Sequence, residues 1–227
     1  MTILALEFST ARRSVAVADG HGAVLAEAAV HSGGRGTDAL GLIGQVLTRA
    51  NLVREDIEVL AVGLGPGSYT GIRAAIAVAQ GWQLARGTRV LGVSSLESLA
   101  AQAQAERLFG RVNLVVDAQR GEFYLATWEI SAEQRRELAH LKIVAAAELG
   151  ARQAAGEICA GPQQGRGLFP SAATVAALAG RRTDFLPGEA LEPVYLRETS
   201  FVKAPAGRGR EFPESFTRGT VEWQQPM

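Results

Sequence analysis

Residues 61–73 read AVGLGPGSYTGIR and join a short apolar run, residues 57–64, to a nearly all-apolar helical pattern, residues 72–85. The first run predicts a buried strand and the second predicts a helix. Glycines at such a junction allow positive φ or close approach of another backbone, and Ser68 and Thr70 are good caps for a following helix. The stretch therefore predicts a strand, a glycine turn and a helix.

This turn has two interpretations. A helix N-terminus reached through glycines suits an anion such as phosphate, and the alternative is a tight turn that binds nothing. The spacing matches no standard phosphate motif, since no Gly-Lys-Ser/Thr ends it and its glycines fall as G-x-G-x-x-x-G. Spacing alone therefore favours the plain turn. The candidate nucleotide edge comprises Gly65, Pro66, Gly67, Ser68, Tyr69, Thr70, Gly71 and Arg73.

Four further motifs lie around this stretch in a fixed order. They are ILALEFST at residues 3–10, GVSSL at 92–96, VVDAQRGEFY at 115–124 and EPVYLR at 192–197. Together with the glycine turn, they resemble the TsaB (YeaZ) family of bacterial tRNA threonylcarbamoyladenosine biosynthesis proteins, degenerate relatives of the TsaD or glycoprotease-like family. The resemblance covers about residues 2–198, nearly the whole chain.

The element pattern runs twice along the chain. Three strands, a helix, a strand and a helix are predicted from residue 2, and the same series begins again at residue 113. The resemblance implies an α/β, actin-like ATPase fold of two ribonuclease-H-like halves. We expect halves at residues 1–108 and 109–203, and each half is one copy of a duplicated β-β-β-α-β-α unit. A Gly/Pro/Arg-rich segment, residues 204–227, is expected to be a flexible tail.

Two helical patterns, residues 37–51 and 70–86, carry apolar residues over a wider part of the helix surface than a helix with a single buried face requires. Either the second helix is sandwiched in this chain's own core, or a partner covers its other side. The resemblance implies docking of these helices on a TsaD-type catalytic subunit. When the chain is alone, an apolar face without a partner is expected to pair with a second copy, which gives a homodimer. The expected partner-binding residues are Leu40, Ile43, Leu47, Ile72, Ile76 and Ala79.

In each half, a carboxylate residue ends the first predicted strand. In nucleotide-binding members of the implied fold, carboxylates there hold Mg²⁺, which makes Glu7 and Asp117 the candidates. Glu7 departs from the family's aspartate, and Mg²⁺ demands near-ideal geometry. The favoured alternative is that both accept hydrogen bonds from turn amides. No two of His21, His31 and His140 are within four residues of each other, so no metal site is predicted.

Composition sets the remaining expectations. Lys and Arg total 23, as do Asp and Glu, so the formal net charge is zero, which argues against a protein that grips nucleic acid by itself. Neither a signal peptide nor a membrane-spanning run is visible, so a cytoplasmic protein is expected. The resemblance implies a non-catalytic subunit with a TsaE-type ATPase in a larger complex, indirect tRNA contact, and ATP or ADP at a subunit interface. The alternative is a stand-alone ATPase or metallo-glycoprotease-like enzyme.

Overall fold

A computed structural model describes residues 1–31, 38–165 and 167–196. Its N-terminal sheet has the strand order β3-β2-β1-β4-β5. The strands are β1 (Thr2–Glu7), β2 (Arg12–Asp19), β3 (Val24–His31), β4 (Val59–Gly63) and β5 (Arg89–Val93). The first three strands form an antiparallel meander, whereas β4 lies parallel to β1 and β5 lies parallel to β4. This arrangement places the predicted glycine turn at the carboxyl end of a central strand.

Helices α1 (Ala39–Arg49), α2 (Tyr69–Arg86) and α3 (Ser95–Ala105) belong to the same half. Each has a polar N-cap: Asp38, Ser68 and Ser94 accept a hydrogen bond from a backbone N–H in the first turn. Gly87 ends α2 in the left-handed conformation. No helix in the described part of the chain is both long enough and apolar enough to cross a membrane.

The C-terminal half repeats this plan. Its sheet has the order β8-β7-β6-β9, the counterpart of β3-β2-β1-β4. The elements are β6 (Gly110–Gln119), β7 (Glu122–Ile130), β8 (Arg135–Ala145), α4 (Ala146–Ala154), β9 (Ile158–Ala160) and α5 (Ala172–Ala179). The predicted duplication of a β-β-β-α-β-α unit is therefore confirmed.

The two halves share their cores. Helix α5 of the second half packs on β1 and β2 of the first, where Ala172, Val175 and Ala176 meet the buried side chains of the N-terminal sheet. Helix α3 of the first half packs on the C-terminal sheet in return. A buried hydrogen bond of 2.8 Å from Ala172 N to Ser14 Oγ fixes the start of α5 on β2. Residues 1–196 consequently form one compact unit.

The expected boundary at residue 108 separates the two sheets in sequence but does not separate the two cores. The predicted tail, residues 204–227, lies outside the described residues, as do the last residues of the predicted C-terminal half. Asp38, which precedes α1, caps that helix by accepting a 2.8 Å hydrogen bond from Gly41 N.

A fragment ending at residue 108 tests whether the N-terminal half folds alone. Without α5, one face of its sheet loses the cover over Ile3, Ala5 and Leu91, all fully buried in the chain. We expect this fragment to lose cooperative urea unfolding and to bind a hydrophobic dye, because newly exposed core surface is unfavourable in water. A cooperative transition like that of the whole chain would show that α5 is dispensable for the sheet.

Candidate functional site

The glycine turn lies directly against the end of β1. Ser68 N donates a 2.6 Å hydrogen bond to the carbonyl oxygen of Ser9. A Cβ added at Gly67 would collide with that same oxygen, and one added at Gly71 would collide with the carbonyl oxygen of Phe8. The glycines are thus required by close approach of this chain's own backbone, as the plain-turn interpretation expects.

The Glu7 carboxylate lies beneath this turn and is fully buried. Its Oε1 accepts a 2.7 Å hydrogen bond from Ser9 N, and its Oε2 accepts one of 2.7 Å from the Ser95 hydroxyl. Ser95 also binds the turn, since its Oγ accepts from Gly65 N at 3.1 Å and its N donates to the Gly65 carbonyl at 2.9 Å. Burial raises the pKa of Glu7, and the hydrogen bonds from Ser9 and Ser95 oppose that rise.

Asp117 occupies the corresponding position in the second half. Its Oδ1 accepts a 2.7 Å hydrogen bond from Gln119 N, as Glu7 accepts from the amide two residues on. Both carboxylates therefore make the turn-amide contact of the structural alternative, and they share no hydrogen-bond partner. Among the described residues, no three His, Cys, Asp or Glu side chains are grouped so that they could hold a metal ion.

Most of the expected partner-binding residues lie inside the chain. Ile43, Leu47, Ile72, Ile76 and Ala79 are buried in the core between α1, α2 and the N-terminal sheet. The most hydrophobic face of each helix covers the chain's own sheet, as the alternative of a helix sandwiched in this core expects, so these five side chains are covered in the free chain. Leu40, in contrast, is 61% exposed.

The outward sides of α1 and α2 carry small or apolar exposed residues with one threonine, and we call these positions the outer face. It comprises Leu40, Gly44 and Thr48 of α1 and Ala74, Ala77, Gly81 and Leu84 of α2, all exposed. Leu84 is 90% exposed, and a Cβ added at Gly44 or Gly81 would meet nothing within 4 Å. The fold does not require these two glycines, although each weakens its helix by about 1 kcal/mol.

An aromatic corner adjoins the first turn of α2. The rings of Tyr69 and Tyr195 are 5.5 Å apart, and the Arg73 guanidinium lies over the Tyr69 ring at 5.5 Å. A 2.8 Å hydrogen bond from Val194 N to the Leu64 carbonyl holds the segment that carries Tyr195. Of the candidate nucleotide edge, Pro66 is buried and Ser68 serves as the cap, whereas Tyr69, Thr70 and Arg73 are exposed. Sequence reasoning missed Tyr195, which no local pattern connects with α2.

Comparisons with known proteins agree with this architecture. Residues 37–185 match the family described as TsaD, tRNA N6-adenosine threonylcarbamoyltransferase. The TsaB threonylcarbamoyladenosine biosynthesis protein of Escherichia coli is 38% identical over 90 residues, which cover 40% of this chain and 39% of that protein. Its counterpart in Haemophilus influenzae is 31% identical over 127 residues, covering 56% and 53%. The matched stretches thus span little more than half of these relatives at most.

Solved structures match over a longer range. YeaZ from Pseudomonas aeruginosa has a TM-score of 0.71 and 26% identity, covering 86% of this chain and 99% of that one. A second crystal structure, of a protein with similarity to peptidase YeaZ from the same organism, gives 0.72 and 25% over the same shares.

Replacement of Gly71 by alanine tests the close approach at the turn. Alanine normally favours a helix, but here its methyl group would collide with the Phe8 carbonyl. We expect a loss of about 1–3 kcal/mol in the free energy of unfolding, measured by urea denaturation. The matched control is Gly150→Ala on α4, where a Cβ meets nothing; there we expect a gain of up to about 1 kcal/mol. Equal effects of the two variants would contradict this account.

Replacement of Glu7 by glutamine tests the burial of its carboxyl. The folded-state pKa of Glu7 lies above the ordinary 4.5, so the folded chain holds this proton more tightly than the unfolded chain does. Wild-type stability therefore falls as pH rises from 4.5 through the folded-state pKa. Glutamine does not titrate, so we expect the variant to gain on the wild type over the same interval in urea unfolding curves.

A control with the opposite sign is Glu157→Gln. The hydrogen bond from Asn113 is the main cause that lowers the pKa of Glu157, so wild-type stability from this group rises with pH below 4.5. That variant should therefore fall behind the wild type as pH rises toward this value. Parallel pH curves for Glu7→Gln and wild type would show that the Glu7 carboxyl does not titrate as its burial requires.

Proposed function

Because the chain belongs to the TsaD family of tRNA N6-adenosine threonylcarbamoyltransferases and resembles its TsaB (YeaZ) members, we propose that it takes part in threonylcarbamoyladenosine synthesis on tRNA. Its role is that of a non-catalytic subunit, which docks on a TsaD-type catalytic relative in the cytoplasm. The observation that carries this proposal is the outer face of α1 and α2.

The outer face is shaped for close contact with other helices. Ala74, Ala77, Gly81 and Leu84 recur at intervals of three and four residues, so they form one stripe along α2. Small side chains let a second backbone approach closely, and the empty space at Gly44 and Gly81 leaves room for the partner's side chains. A partner helix would thus gain packing that the free chain does not supply.

The outer face also lacks the charges that keep a solvent-facing helix in water. Between Arg73 and Arg86, α2 carries no Asp, Glu, Lys or Arg. An exposed apolar stripe of this kind commonly marks an interaction surface. In the absence of a partner, the same stripe would pair with that of a second copy of the chain, because both copies present the same small, apolar residues.

The site around Glu7 supports the non-catalytic role. Its carboxylate oxygens accept hydrogen bonds from Ser9 and Ser95, and the glycine turn is packed on the backbone of Phe8 and Ser9. These groups are engaged in holding the fold. A nucleotide in the complex would lie at a subunit interface, where the partner supplies further groups. A TsaE-type ATPase would belong to the larger assembly.

A charge on the outer face tests the docking. We expect Ala77→Glu to stay folded, because residue 77 is exposed, and to lose the complex with the TsaD-type protein of the same organism, because a carboxylate would be desolvated in an apolar contact. Sedimentation velocity of the mixture measures complex formation, and circular dichroism verifies the fold. The control is Ala151→Glu, an exposed alanine on α4 of the C-terminal half, which should bind as the wild type does.

The outcomes separate the two classes of function. A complex formed by the wild type and the control but not by Ala77→Glu supports the docking subunit. Absence of any complex for the wild type, with or without ATP, would refute it and direct attention to ATP turnover by the isolated chain. Equal binding by all three proteins would leave the partnership standing and move the interface elsewhere.

A further inference from the structure

The exposed aromatic corner beside the outer face contains a cation without an acidic partner in the described residues. Arg73 touches the hydroxyl of Tyr69 at 3.4 Å and lies over its ring, but it forms no ion pair within residues 1–31, 38–165 and 167–196. Arg86, at the opposite end of α2, pairs with Glu55 at 3.0 Å. The arginine at the C-terminal end of α2 is therefore paired with a carboxylate, whereas the one near its N-terminal end has no such pair among the described residues.

The side chain of Arg73 contacts an aromatic ring, and no acidic side chain among the described residues pairs with its charge. The Tyr69 ring supports one side of the guanidinium, and Tyr195 packs against that ring at 5.5 Å. Tyr69 and Tyr195 are 47% and 41% exposed, so the corner is accessible. A guanidinium positioned in this way presents a planar set of donors that matches a carboxylate in two parallel hydrogen bonds.

We infer that Tyr69, Arg73 and Tyr195 form a carboxylate-binding corner that receives an acidic side chain of the partner docked on the outer face. This inference rests on the proposed function and adds its specificity determinant. The apolar stripe supplies contact area with little directional preference, whereas one charge at a fixed end of the stripe sets the direction and register of the partner helix. Tyr and Arg are also the residues that most often dominate binding energy at interfaces.

Charge favours a protein carboxylate over an RNA phosphate at this corner. The whole chain has a formal net charge of zero, and Arg73 is the only charged residue of α2 before Arg86. Binding to RNA draws its affinity from several phosphate contacts, which a single arginine does not provide. The uncharged stripe that continues from the corner suits an apolar protein helix.

The test compares Arg73→Gln with the wild type in calorimetric titrations of the TsaD-type protein at low and at high salt. We expect about tenfold weaker binding by the variant at low salt. Wild-type affinity should fall as salt screens the pair, and the variant should show little further loss. Arg73→Lys, which keeps the charge without the planar fork, should bind with intermediate affinity and retain the salt dependence. Tyr195→Leu should weaken binding by releasing the support of the Tyr69 ring.

A matched control is Arg89→Gln. Arg89 also lies over an aromatic ring, that of Phe185 at 4.7 Å, but it already pairs with Glu58 at 3.5 Å. We expect its replacement to leave affinity and salt dependence unchanged. If the wild type binds and Arg73→Gln binds equally well at every salt concentration, the carboxylate corner is refuted while docking on the outer face stands. Loss of tRNA binding without loss of partner binding would overturn it in favour of an RNA contact.

Discussion

The buried carboxylate of Glu7 is the point at which three segments of the N-terminal half meet. It accepts hydrogen bonds from the turn after β1 and from the first residue of α3, and Ser95 passes the connection on to the glycine turn. A carboxyl group removed from water costs free energy unless hydrogen bonds compensate it. Because its bonds come from Ser9 and Ser95, which lie far apart in sequence, their formation fixes β1, the glycine turn and α3 relative to one another.

This junction determines where α2 can lie. The turn rests on the backbone of Phe8 and Ser9, so the helix begins at a fixed position over the sheet. Its inner side then buries Ile72, Ile76 and Trp82 in the core, and its outer side is left toward solvent. A rigidly placed helix loses little conformational freedom when a partner packs against it, which lowers the entropic cost of docking.

The sequence was sufficient for the fold class and for the repeated β-β-β-α-β-α unit, because strand and helix periodicities were strong and the motifs occurred in order. The α/β, actin-like assignment is confirmed by the strand orders and by the matches to YeaZ structures. Exchange of α3 and α5 between the halves was not foreseen, since periodicity shows that a helix has an apolar side but not which sheet it covers. For the same reason, periodicity does not show that Ile43 and Ile76 cover the chain's own sheet. Side chains as small as those of Ala77 and Gly81 give almost no hydrophobic signal.

The outer face can be recognised only after the residues that the fold itself needs have been identified. Gly67 and Gly71 are needed by the turn, but Gly44 and Gly81 face open space and reduce helix stability without an internal benefit. The capping bond of Ser68 and the left-handed Gly87 offset part of that cost in α2. The outward side of α2 has small, uncharged residues, and its glycine lowers helix stability. Contact with a second helix explains this composition better than exposure to water does. Arg73 then supplies the direction that such a smooth surface lacks.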